Sequence, residues 1–86
     1  MAKIEIYTTR ICSYCITAKR LLDSKQARFE EIDVTADGEQ RAQMSARAGG
    51  LRTVPQIFIN GEHIGCCTDL MALERAGHLD ALLAAS

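Results

Sequence analysis

Asn60-Gly61 is the pair that most constrains this chain. Both residues tolerate the positive φ of a two-residue type I′ turn, and they stand between Gln56-Ile57-Phe58-Ile59 and Glu62-His63-Ile64. That arrangement predicts an antiparallel hairpin, with strands over Gln56 to Ile59 and Glu62 to about Cys66. Around it the period of the apolar residues alternates. Lys3 to Thr8 places Ile4 and Ile6 at alternate positions and predicts a strand, as does Phe29 to Val34. Between them, Cys15, Ala18 and Leu22 fall at i, i+3 and i+7, which predicts an amphipathic helix from Cys12 to about Lys25.

A second helix is predicted from Gly38 to about Ala48, with Met44 and Ala48 in the core, halted by Gly49-Gly50. A third opens at Cys67 or Thr68 and runs to about Ala76, and Leu79 to Ala84 can form one more turn or two. The order β-α-β-α-β-β-α has a right-handed parallel crossover first and an antiparallel hairpin last. It predicts a single α/β domain over residues 1–86.

Composition narrows the function. The net charge of −1, spread along the chain, lacks the basic footprint of a nucleic-acid binder. No apolar run approaches the roughly 20 residues that cross a bilayer, and the start lacks the apolar core of a signal peptide. A cytoplasmic address is expected. In that reducing compartment four cysteines point to redox chemistry or metal rather than to a structural disulfide framework.

Cys12-Ser13-Tyr14-Cys15 falls where a strand hands over to a helix. The spacing sets both sulfurs on one helical face, close enough to bond. The first sulfur lies among the unpaired N–H groups at the positive end of the helix, where a cysteine pKa drops to about 3.5–7.5. Cys15, one turn deeper, is expected to be buried and to act as the resolving thiol. The alternative is half of a zinc site completed by Cys66, Cys67, His63 or His78. Adjacent Cys66-Cys67 lacks the usual ligand gap, so spacing and context favour redox.

Over nearly its whole length the sequence resembles the glutaredoxin family, most of all its small bacterial dithiol members. The resemblance rests on Ile6-Tyr7-Thr8, Cys12-Ser13-Tyr14-Cys15, Ala18-Lys19 with Leu21-Leu22, Thr53-Val54-Pro55-Gln56-Ile57-Phe58-Ile59-Asn60-Gly61, and Ile64-Gly65 with Asp69-Leu70. It implies a thioredoxin-like fold with a four-stranded mixed sheet in the order 2-1-3-4, flanked by helices. It also implies an oxidoreductase with Cys12 as nucleophile and Cys15 as resolving thiol, reducing glutathione mixed disulfides and protein disulfides. Glutathione is then co-substrate, glutathionylated or disulfide-containing proteins are partners, no cofactor is tightly bound, and a monomer is expected.

The resemblance further implies a cis Val54–Pro55 bond facing Cys12, with the Val54 backbone pairing with glutathione. Arg52 and Thr53 lie beside it, and Arg52 is the expected partner of the glycine carboxylate. Cys67, Thr68 and Asp69 would hold the γ-glutamyl end through backbone N–H groups and an acidic side chain, and Tyr14 would form part of the wall. Thr68 or Asp69 is the expected N-cap of the third helix. Where many relatives carry Lys, this chain has Thr9, with Arg10 next door as the candidate to stabilise the thiolate. Cys66 replaces a glycine and is expected to pack inward. Some members with Cys-Ser-Tyr-Cys share a [2Fe–2S] cluster between two subunits through the first cysteine and glutathione. That is the alternative expectation for Cys12.

Overall fold

The computed structural model describes residues 2–85. Strand β1 (Ile4–Thr8) lies inside a four-stranded sheet, parallel to β2 (Glu30–Asp33) on one side and antiparallel to β3 (Gln56–Ile59) on the other. Strand β4 (Glu62–Gly65) runs antiparallel to β3, giving the order β2-β1-β3-β4. The turn between them has φ of 53° at Asn60 and 81° at Gly61, the two positive values of a type I′ hairpin. The Asn60 side chain also accepts the Lys3 N–H at 2.8 Å, tying the turn to the start of β1.

Because side chains alternate along a strand, the sheet has two apolar faces, and each is covered. Ile4, Ile6, Ile57 and Ile59 meet Ala18 and Leu22 of α1 (Ser13–Ser24), Leu70 of α3 (Cys67–Arg75) and Leu79 of α4 (Leu79–Ala84). Tyr7 and Phe58 meet Val34 and Met44, the latter from α2 (Gly38–Arg47). Every residue expected in the α1 stripe is buried, as are Met44 and Ala48. Strand β2 is shorter than expected: Phe29 precedes it and packs against the core, while the Val34 N–H still reaches the Thr8 carbonyl at 2.9 Å beyond its end. Strand β4 likewise stops at Gly65, because Cys66 leaves the ladder to cap α3.

A second contact that the sequence did not reveal locks α2 to the sheet. The Arg47 guanidinium donates to both Glu5 carboxylate oxygens, at 2.9 and 3.3 Å, and to the Tyr7 hydroxyl at 2.8 Å, while lying 4.0 Å from the centre of the Phe58 ring. Its fork matches the carboxylate geometrically, which makes the pair stronger than a single exposed ion pair.

Hydrogen bonding from Arg47 holds the Glu5 carboxyl below the ordinary glutamate range, and Lys19 with Thr8 does the same to Glu31. A lowered folded-state pKa stabilises the fold above the unfolded value of about 4.3 and loses that stabilisation as pH falls through the folded value. The urea midpoint is therefore expected to fall between about pH 5 and pH 3. Glu5→Gln should lower the midpoint at pH 7 and shrink its acid dependence. An unchanged slope against pH in that variant would remove Glu5 from the account.

Candidate functional site

Cys12 sits in extended backbone (φ −153°, ψ 101°) as the N-cap of α1, and its sulfur accepts the Cys15 N–H at 3.1 Å. A cap oxygen is the usual occupant of this place, so the sulfur is doing what Ser or Asp does elsewhere. No acidic side chain stands in the first turn of α1. The positive end of the helix is thus left to the sulfur, and a thiolate there is favoured by the dipole and by the N–H it accepts. Cys15 is buried, held on the inner stripe of α1 with Ala18 and Leu22. The two cysteines are joined by a disulfide, with Cα atoms 5.2 Å apart.

Facing this pair is the loop before β3. The Val54–Pro55 bond is cis, Pro55 is buried, and the Val54 carbonyl oxygen lies 3.9 Å from the Cys12 sulfur. In the disulfide that sulfur has no hydrogen to donate; the reduced thiol does. Beside it opens a cavity of about 280 Å³ walled by Tyr14, Thr53, Val54, Pro55, Cys66, Cys67 and Thr68. Three segments remote in sequence therefore converge: the end of the redox turn, the cis-proline loop and the start of α3. The first N–H groups of α3, those of Cys67 and Thr68, have no acceptor within the helix.

Of the residues expected around the pair, Tyr14, Thr53, Val54, Pro55, Cys67 and Thr68 line this cavity, and three do not. Arg10 is exposed, with its guanidinium 3.8 Å from Asp33 and its N–H on the Thr35 hydroxyl. Arg52 is exposed, and its carbonyl accepts from the Arg41 guanidinium at 2.8 and 3.2 Å. The Asp69 carboxylate turns back along α3 to the Cys66 N–H at 2.9 Å and the Cys66 thiol at 3.3 Å. Those two donors hold its pKa below the usual aspartate range.

Two expectations at the start of α3 are corrected. The N-cap is Cys66, with Asp69 three residues on, rather than Thr68 or Asp69. And Cys66 is half-exposed with its thiol on Asp69, while Cys67 is the buried one of the pair. The cause is the strand-to-helix handover: Cys66 must stay extended to cap, which turns the next residue onto the inner face of α3 with Leu70. Burial, with a smaller contribution from Cys66, pushes the Cys67 thiol pKa up, so it stays protonated and inert.

Among the described residues, no group of three or more His, Cys, Asp or Glu side chains converges in a way that holds a metal ion. The zinc reading of the Cys12–Cys15 pair would need such a grouping.

The glutaredoxin family model matches residues 4–64, which span the redox turn, the cis-proline loop and the β3–β4 hairpin. The chain belongs to the glutaredoxin family. It is 53% identical over 85 residues to a glutaredoxin of Pseudomonas aeruginosa, across 99% of this chain and all of that one. The solution structure of glutaredoxin from Brucella melitensis superposes with a TM-score of 0.84 at 52% identity, covering 96% of this chain and 89% of that one. A buckwheat glutaredoxin–glutathione complex superposes at 0.85 and 33% identity, covering 95% and 76%. Family and fold together make this glutaredoxin a thiol–disulfide oxidoreductase with a thioredoxin-like fold. No helix among the described residues is long and apolar enough to cross a membrane.

Gln56 was not singled out by the sequence. The signal was there: it is the one polar residue in a strand whose every position is buried, and a buried amide requires partners.

Proposed function

We propose that this glutaredoxin reduces glutathione mixed disulfides and protein disulfides, with Cys12 as the attacking thiolate, Cys15 as the resolving thiol and glutathione as reductant. The observation that carries the reading is the Cys12 sulfur as helix cap, hydrogen-bonded to the Cys15 N–H and facing Val54, which with the buried cis-proline walls a cavity. The likeness to a glutaredoxin described in complex with glutathione supports the choice of thiol.

In the monothiol route the Cys12 thiolate attacks the glutathione sulfur of a mixed disulfide. A Cys12–glutathione disulfide forms and the other thiol leaves as thiolate. A second glutathione thiolate then attacks the glutathionyl sulfur, releasing oxidised glutathione and restoring Cys12. In the dithiol route Cys12 attacks a protein disulfide, forming a mixed disulfide with one protein sulfur and releasing the other as thiolate. Cys15 then attacks the Cys12 sulfur and displaces the protein sulfur still bound there. The enzyme is left with the internal Cys12–Cys15 disulfide, and two glutathiones reduce it.

The bound glutathionyl group would pair its backbone with Val54 as a short strand addition. Its γ-glutamyl carboxylate would meet the free N–H groups of Cys67 and Thr68, against Tyr14 and Pro55. Asp69, already accepting two hydrogen bonds, has spare lone pairs for the γ-glutamyl amine, and Arg10 and Arg52 stand outside as long-range positive charges.

The test is NADPH consumption in a coupled system of glutathione, glutathione reductase and the mixed disulfide of glutathione with 2-mercaptoethanol. Turnover that scales with the protein and requires glutathione is expected. Turnover supported equally by a thioredoxin reductase system without glutathione would overturn the choice of reductant.

A further inference from the structure

Gln56 is 1% exposed, and both ends of its amide are engaged. Its Nε2 donates to the Thr53 carbonyl at 3.1 Å and to the Thr53 hydroxyl oxygen at 3.2 Å, and its Oε1 lies 2.7 Å from Nε2 of His63. The Thr53 carbonyl can only accept, so the NH₂ end of the amide must face it. The acceptor end then faces His63, and the hydrogen must sit on Nε2 of that ring. His63 is itself held in place, tilted 34° over Phe58 with ring centres 5.1 Å apart, and Phe58 is covered by Arg47. A hydrogen-bonded chain therefore runs from β4, through the middle of the sheet, to the residue that opens the cis-proline loop.

Behind the loop, Arg41 holds the Arg52 carbonyl. Thr53 and Val54 have no regular structure of their own and are exposed and half-buried. Without these anchors their backbone would be free to sample other conformations, and a ligand docking against Val54 would have to order it. An anchor that fixes the loop beforehand improves affinity by removing that cost.

We propose that Gln56, oriented by His63, is a positioning residue for the glutathionyl group: it holds Thr53 so that the Val54 backbone stands ready beside the Cys12 sulfur. This rests on the reading that the cavity takes glutathione. Gln56 touches neither the sulfur nor the cavity, so its effect belongs in binding rather than in sulfur transfer.

In the coupled assay, Gln56→Leu is expected to raise KM for the glutathione–mercaptoethanol mixed disulfide about tenfold, equivalent to about 1.4 kcal/mol, with kcat within about twofold. Gln56→Glu should behave like Gln56→Leu, because a carboxylate cannot donate to the Thr53 carbonyl. His63→Phe keeps the stacked ring and loses the orienting hydrogen, and a rise of about threefold is expected there. If Gln56→Leu does not fold, His63→Phe carries the same test.

NMR of the reduced protein provides a second readout that needs no turnover. Imidazole nitrogen shifts should show neutral His63 protonated at Nε2, and Gln56→Leu should move the Thr53 and Val54 amide signals while sparing those of Cys12 and Cys15. An unchanged KM in an active wild-type background overturns the proposal, as does a fall in kcat at constant KM. If the wild type itself turns over no glutathione mixed disulfide, the glutathione reading fails. The NMR then decides the positioning role alone: unmoved Thr53 and Val54 signals overturn it, and displaced ones uphold it.

Discussion

Cys12→Ser is expected to abolish turnover of the glutathione mixed disulfide, by at least about a thousandfold, while Cys15→Ser keeps it. The asymmetry follows from placement. The Cys12 sulfur caps α1 on a half-buried residue and faces Val54 of the cavity wall, so it is both accessible to a disulfide and stabilised as thiolate by the Cys15 N–H. A serine at position 12 can cap the helix as well as sulfur does, but its hydroxyl cannot exchange with a disulfide. Cys12→Ser should therefore fold normally and be inert, which separates chemistry from stability. Cys15 is buried one turn deeper on the same face, bonded to the Cys12 sulfur and shielded from solvent. Its loss should leave deglutathionylation intact and stop the reduction of an intramolecular protein disulfide, which would halt at the mixed disulfide with Cys12. Steady-state rates on both substrate types, with mass spectrometry of the trapped adduct, check this. Loss of deglutathionylation in Cys15→Ser together with its survival in Cys12→Ser would reverse the assignment.

Gly65→Ala should be the most damaging single-methyl change near the site. Gly65 has φ of 118°, outside the range that residues with a Cβ adopt readily, and an added Cβ would collide with the Asp69 carboxylate. That carboxylate satisfies the Cys66 N–H at the start of α3. The backbone conformation is worth roughly 1–3 kcal/mol and a lost cap roughly another 0.5–2 kcal/mol. Together they make a loss of about 2–4 kcal/mol the expected result by urea denaturation. Activity should fall further than stability, because the displaced turn carries the N–H groups of Cys67 and Thr68 that form one end of the cavity. A variant with wild-type stability and KM would show that Asp69 and the turn can move aside freely.

The sheet and its order were legible because each strand states its own periodicity and because Asn60-Gly61 permits one kind of turn. Cys12 and Cys15 were legible for the same reason: helical spacing puts them on one face regardless of what surrounds them. The Arg47 clasp on Glu5 and Tyr7 was not, since it joins residues about forty positions apart through the tip of a flexible side chain. Cys66 was expected inward but stays half-exposed because the cap begins there, a detail of one residue that periodicity does not resolve. The relay through Gln56 and His63 was hidden for a different reason. A polar residue in a strand announces a need for partners but not where they come from.

The disulfide closes one of the shortest loops a chain can form, with a sequence separation of three. In a chain-entropy model such a bond restrains the unfolded state by only about 2 kcal/mol, against about 4.7 for a loop of roughly 100 residues. Its making and breaking consequently pulls little on the global folding equilibrium. Two apolar layers, one on each face of the sheet, hold the architecture whether or not the sulfurs are joined. The bond is an occupant of the fold rather than one of its supports, and the architecture stands whether the two sulfurs are joined or free.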